Sequence, residues 1–284
     1  MEGKVFEDRE KIGEDYPFIS VITPSYNQVR FLRDNLVSVL NQCYTEYEHI
    51  IIDGGSTDGT VDILKSYDKR ISYWVSEPDR GQSDALNKGL AAASGEVIGW
   101  QNSDDFYLPG AFHFVGETFR ENPEIDVIYG DYLYVNEGNR IVGSKKYTPC
   151  FDIREYLYVG ANISNQSVFF RREALEKVGG FDVDLHLAMD FDLFLKLSAF
   201  ARFKHVRTYL GAYRVHGEQK GQTHREEDRE EYRLIRERAG VIVRDDIPWK
   251  KQYPVRKFYC RTRRNLFKLI YTPLYLRDPY YRGQ

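Results

Sequence analysis

The chain has 284 residues, of which 42% are hydrophobic and 29% charged. That is enough to bury the core of one large α/β domain with an appendage, and it excludes a disordered chain. A formal net charge of −3 argues against nucleic acid as the main partner.

Residues 1–16 are polar and are expected to fray. Phe18-Ile-Ser-Val-Ile22 then fits a buried strand, and residues 29–41 place Leu32, Leu36, Val39 and Leu40 at helical spacing. Strands are expected over 47–52, 71–75 and 96–101, with helices over 60–67 and 83–93 between them. Ser83 is a suitable N-cap for the second of these helices. Alternation at this spacing implies right-handed crossovers and a mostly parallel sheet, with ligands outside the carboxyl ends of the strands. Farther on, a helix is expected over 110–121 and a strand over 125–129. A hairpin follows around Asn136-Glu-Gly-Asn139, then helices over 190–200 and 224–238.

Four polar clusters fall just after expected strands: Thr23 to Asn27, Asp53 to Thr60, Glu77 to Asp84, and Asn102 to Asp105. Gly, Ser, Asn and Asp are also what ordinary turns need, so each cluster alone is weak. Together they mark one sheet edge. No Gly-Lys-Ser/Thr follows Asp53, so there is no Walker loop, and no GxGxxG supports a dinucleotide site. A nucleotide site lacking such a loop needs another way to neutralise a diphosphate. A divalent cation on the carboxylates of Asp104-Asp105 would serve.

The runs Ile19 to Asn27, Ile51 to Thr60, Gly81 to Gly89 and Gly95 to Asp105 resemble, in order, family 2 glycosyltransferases of the GT-A fold. Asn165-Gln-Ser-Val-Phe-Phe-Arg171, Gly179-Gly-Phe-Asp182 and Met189-Asp-Phe-Asp-Leu193 continue the resemblance, which covers roughly residues 17–217. It implies a Rossmann-like, mostly parallel sheet flanked by helices over 17–218, followed by a C-terminal helical extension over 219–284. It also implies an inverting, metal-dependent hexosyl- or N-acetylhexosaminyltransferase. The donor would be a nucleotide-diphosphate sugar, UDP foremost, and the acceptor a saccharide or lipid-linked saccharide of bacterial cell-surface synthesis. By the same resemblance Thr23, Pro24 and Tyr26 would line the base and ribose pocket, and Asp53 would reach the base or ribose. Gln82, Asp84, Asn102 and Ser103 would border the nucleotide-sugar. Asp104 and His216 would hold Mn2+ or Mg2+. Asp190 would be the general base, since Asp192, two residues on, faces another way on a helix.

The chain departs from the family pattern at three positions. Gly54 stands where a second Asp is common, Asn102 where DxD begins, and Met189 where Glu is common. The first departure bears on the nucleobase, the second on a ribose contact and the third on the acceptor.

Three cysteines without metal-binding spacing fit reduced thiols in a cytoplasmic protein. The charged N-terminus does not read as a signal peptide, and no apolar run of about 18 residues suggests a membrane span. Beyond Trp249 ten Lys and Arg stand against Asp278 alone, with tyrosines and phenylalanines between them. Such a tail suits either the surface of an anionic membrane or a helix packed on the core. The 22 tyrosines of the chain fit ordinary packing or stacking platforms for sugars and bases. Two other functions compete with transfer: a sugar nucleotidyltransferase, which normally carries a Gly-rich basic loop after its first strand, and a non-catalytic nucleotide-sugar-binding module.

Overall fold

The computed structural model describes residues 16–145, 151–153, 157–158, 163–219, 225–243, 251–262 and 265. Residues 1–15 and most of the basic tail, for which fraying and membrane contact are expected, lie outside them.

The parallel core of the sheet forms as the alternation predicts. Strands β1 (Ile19–Ser25), β2 (Tyr47–Asp53), β3 (Tyr73–Ser76) and β4 (Val97–Trp100) pair in parallel in the order β3-β2-β1-β4. Helices α1 (Leu32–Leu40), α2 (Thr60–Tyr67) and α3 (Gln82–Ala92) make the crossovers. Helix α3 begins at Gln82 and packs closely on β1. A Cβ added at Gly89 would sit 2.3 Å from Ile22 Cγ2, so only glycine fits that crossing.

Beyond β4 the sheet becomes mixed. The further strands are β5 (Phe106–Tyr107), β6 (Val127–Asn136), β7 (Ile141–Lys145), β8 (Val168–Arg171) and β9 (Phe203–Val215). The order continues β4-β8-β6-β9-β5, and β7 pairs with β6 as the expected hairpin. Pairs β4–β8, β6–β8 and β5–β9 are antiparallel, whereas the long β6–β9 pair is parallel. Further helices are α4 (Ala111–Glu121), α5 (Arg172–Lys177), α6 (Met189–Leu197) and α7 (Arg225–Arg238).

Both faces of the sheet are covered, so its strands are apolar on both sides. Val127, Tyr129, Val168 and Phe170 face one cluster together with Leu86 of α3, Leu175 of α5, Phe194 of α6 and Ile235 of α7. Their neighbours Ile128 and Phe169 face the opposite cluster with Phe112, Val115 and Phe119 of α4. No helix among the described residues is long and apolar enough to cross a membrane.

Candidate active site

The carboxyl ends of β1, β2, β3 and β4 open into one cleft of about 1000 Å³, on the scale of a bound organic ligand. One wall carries Pro24, Tyr26, Gly54, Pro78, Asp79 and Gln82, and the floor carries Trp100 and Asn102 to Asp105. The far side carries Tyr132, Tyr134, Tyr213, Asp190 and His216, with Tyr232 from α7.

The floor is held from two sides. Asn35 of α1 donates from Nδ2 to Asn102 O at 2.9 Å and to Asp105 O at 3.2 Å. From β9 the Arg214 amide donates to Asp105 Oδ1 at 2.8 Å, and Arg214 Nε donates to Asp104 O at 2.8 Å. The guanidinium is wholly buried, and its remaining donors reach Asn139 Oδ1 at 2.6 Å, Glu137 O at 3.1 Å and Asp34 Oδ2 at 2.8 Å. It also lies over the Phe31 ring, 4.7 Å from the centroid. A planar fork with five donors can join several acceptors in a way that a lysine cannot. Pairing of Phe106 with Ala212 sets the Asp104-Asp105 step beside Tyr213 and Arg214, and the chain then delivers His216.

His216 Nε2 lies 3.0 Å from Asp104 Oδ2. The imidazole is buried against Phe31, with ring centroids 4.8 Å apart, and its Nδ1 has no partner among the described residues. A carboxylate oxygen and an imidazole nitrogen are donors that a divalent ion such as Mn2+ accepts. Two donors 3.0 Å apart can take neighbouring positions around one ion at bond lengths of about 2.1 Å. Among the described residues no third His, Cys, Asp or Glu joins them. Asp105 is buried below. Burial and the Asp104 charge push its carboxyl well above the usual carboxylate range. Burial also raises the Tyr213 phenol, with Asp105 and Asp104 adding to the effect, so it stays protonated.

Asn102 Oδ1 accepts from Gln82 Nε2 at 2.7 Å and from Trp100 Nε1 at 2.9 Å. The amide that replaces the first DxD carboxylate therefore ties α3 to the floor of the cleft. Ser103 sits next to it and also lines the cleft. Asp190, the second residue of α6, faces the cleft and accepts a bond from the Phe191 amide at 2.7 Å. Asp192 points elsewhere, into an ion pair with Lys196 at 2.6 Å.

Three expected site residues do not line the cleft. Thr23 is buried, with Oγ1 3.0 Å from His49 Nε2 beneath the sheet edge. Asp53 is also buried, and its carboxylate accepts from Ser56 N at 2.9 Å, Ser56 Oγ at 2.6 Å and Ser76 Oγ at 2.6 Å. These bonds shape the loop after β2. Asp84 accepts from the Arg80 amide at 3.1 Å and lies 3.6 Å from Lys88 Nζ, closing the first turn of α3.

A Cβ at Gly54 would lie 2.8 Å from Asp79 Oδ2, so the Asp79 carboxylate occupies the space that a side chain at 54 would need. Asp79, Arg214 and Tyr232 are cleft or support residues that sequence reasoning did not single out. Of these, Asp79 had a signal, as a member of the polar cluster Glu77 to Asp84.

A parallel sheet edge with an acidic floor and a carboxylate–imidazole pair defines a GT-A-type domain. The sequence profile of glycosyl transferase family 2 matches residues 20–179, and the chain belongs to that family. An uncharacterized glycosyltransferase of Mycobacterium tuberculosis is 34% identical over 184 residues, covering 63% of this chain and 68% of the relative. Chondroitin synthase of Escherichia coli is 29% identical over 71% of this chain, which spans only 29% of that enzyme. Among solved structures, S. aureus TarS 1-349 in complex with UDP-GlcNAc superposes with a TM-score of 0.63 at 22% identity, over 77% of this chain and 65% of that one. The mannosyltransferase PcManGT of Pyrobaculum calidifontis, in complex with GDP-Man and Mn2+, gives 0.59 at 19% identity, over 95% and 76%. These two likenesses establish the GT-A fold.

Proposed function

We propose that the chain transfers a sugar from a nucleotide-diphosphate donor, UDP foremost, to an acceptor hydroxyl with inversion at the anomeric carbon. The observation that carries this reading is the meeting of Asp190 and the Asp104–His216 pair in one cleft with Pro24, Tyr26 and Asp79. A non-catalytic binding module would need no carboxylate opposite such a pair, and a nucleotidyltransferase would need a basic loop where Pro24 to Gln28 stands.

In this reading Pro24 and Tyr26 hold the base and ribose, and the Asp79 carboxylate accepts an N–H of the base. Gln82, Asn102 and Ser103 border the nucleotide-sugar. Asp190 takes the proton of the acceptor hydroxyl as its oxygen attacks. Asp104 and His216 would hold Mn2+ or Mg2+, whose charge offsets the charge that develops on the departing diphosphate. The rings of Tyr132, Tyr134 and Tyr213, with centroids 5.1 to 6.3 Å apart, give the acceptor saccharide an aromatic wall. The exposed Val255 and Phe258 beside Arg256 and Arg261 suit contact with an anionic membrane bearing a lipid-linked acceptor. The domain division at residue 218 belongs to the same proposal.

The test is thermal stabilisation by UDP, GDP, dTDP and CDP, each with Mn2+ or EDTA, since a ligand of the folded state raises its melting temperature. A shift with one nucleotide that EDTA abolishes supports the donor site and names the base. No shift with any of the four overturns it.

A further inference from the structure

The matched family profile ends at residue 179, yet the helix that bears Asp190 begins at Met189. Its entry is built by a residue much farther along the chain. The amides of His186, Leu187 and Ala188 all donate to the Glu231 carboxylate of α7, each at 2.8 Å. Three successive N–H groups around one anion form a nest, and charge-assisted bonds of this length are strong. Helix α6 has no cap of its own, because Ala188 at its N-cap offers no side-chain oxygen.

Other groups of α7 hold the same turn from the apolar side. The Tyr232 ring packs on Phe191 at 4.9 Å, and the Arg236 guanidinium lies 5.2 Å from the Phe191 centroid. Ile235 is fully buried in the core beside α6, and Arg238 pairs with Asp182 at 2.9 Å. From the donor side, Ser83 Oγ of α3 donates to Leu185 O at 2.7 Å. Asp190 therefore lies between two anchored positions, the amides of 186–188 before it and the ring of Phe191 after it. Both anchors come from α7.

We propose that Glu231 is a positioning residue for the transfer reaction. It fixes the entry of α6 so that the Asp190 carboxylate meets the acceptor hydroxyl, which makes α7 a working part of the catalytic unit. The inference rests on Asp190 being the base, and the test separates the two ideas.

Nucleotide release from UDP-GlcNAc with Mn2+ is followed for the full chain, for Glu231→Ala, Glu231→Gln and Asp190→Asn, and for the Asp190→Asn/Glu231→Ala double variant. Glu231→Ala should lower kcat about tenfold to a hundredfold, the scale for misplacing a reacting group by about 1 Å. Its donor KM should stay within about twofold of the parent, because a loss confined to the chemical step leaves ground-state binding unchanged. Glu231→Gln retains an acceptor oxygen and should recover part of the loss, and it serves if the alanine variant fails to fold. Because Glu231 acts through Asp190, removing it in the Asp190→Asn background should cost nothing further. Hydrogen exchange at residues 186–191 should quicken in Glu231→Ala while β1 to β4 stay protected. Unchanged kcat in Glu231→Ala would overturn the proposal whatever the exchange shows, as would losses that multiply in the double variant. Full turnover by Asp190→Asn would instead overturn the base assignment on which it rests.

Discussion

The two halves of the sheet bring residues to the cleft by different means. In the β3-β2-β1-β4 half, topology does it: Pro24 is among the last residues of β1, and Gly54, Asp79 and Asn102 follow the carboxyl ends of β2, β3 and β4, where any such sheet opens. In the β8-β6-β9-β5 half, single side chains tie distant segments together. Arg214 pins the Asp104-Asp105 step to β9, and Glu231 pins the turn before Asp190. A site built by topology tolerates the loss of one side chain, whereas a site built by buried polar ties does not. Substitutions in the second half should therefore cost more than those in the first.

The largest effect is expected at Asp190. Asp190→Asn should lower turnover by about two to four orders of magnitude, the usual worth of a general base. Nucleotide-induced thermal shifts with Mn2+ should remain, because the donor wall is untouched. Next is Arg214→Met, which leaves the acceptors at Asp34, Asn139 and the main chain of Asp104 and Glu137 without their buried donor. Removing one partner from such a network costs about 3 kcal/mol, read as a lowered urea midpoint. It should also abolish the Mn2+-dependent part of the shift, because His216 and Asp104 lose their common support. A variant as stable as the parent with an intact Mn2+ response would break the comparison.

A smaller effect is expected on the topological side. Asp79→Asn replaces an acceptor with a group that can donate, so the order of preference among UDP, GDP, dTDP and CDP should change. The change should be about tenfold in affinity, the equivalent of one hydrogen bond of about 1.4 kcal/mol. Gly54→Ala should act in the same direction by displacing the Asp79 carboxylate, which its Cβ would approach to 2.8 Å. If neither substitution alters the ranking, the base lies elsewhere and the first half of the cleft holds only phosphate and sugar.

The same difference explains what the sequence made legible. Helix α2 falls on its expected residues, and β1, β2, α3 and β4 lie within a few, because apolar periodicity and strand-end turn residues are local signals. Strand β9 was not expected. Its run Phe203–Val215 carries His205 and Arg214, which read as surface residues until their partners, the buried Asp131 and the half-buried Asp34, are seen. A register shift between Gly130 and Tyr132 further breaks its alternation against β6. Strand β5 has two residues, too few for any periodicity. Asp104, His216 and Asp190, expected from the family resemblance, all line the cleft. Thr23, Asp53 and Asp84 carry the right residue types at strand ends, but local hydrogen bonds take up their side chains. Helix α7 was legible as a charged helix, whereas the contact of Glu231 with residues more than 40 positions earlier leaves no trace in local pattern.

The smallest expected effect lies behind the first half of the sheet, where the fully buried His49 meets Thr23. Burial lowers its imidazole from the ordinary 6.5 to about 3, so it is neutral in the folded chain and charges on unfolding in mild acid. A depressed folded-state value contributes stability that is complete above the unfolded pKa and is lost as pH falls from there toward the folded one. Between about pH 7.5 and about pH 5.5 this group alone should remove roughly 1 kcal/mol. His49→Gln keeps a polar group facing Thr23 but does not titrate, so urea midpoints of the two proteins should converge or cross as the solution is acidified. Turnover per folded molecule should be the same in both across that range, because His49 and Thr23 support the sheet and do not line the cleft. A parallel loss of turnover would mean that Thr23 reaches the donor after all, and that the topological half of the site also depends on a buried polar tie.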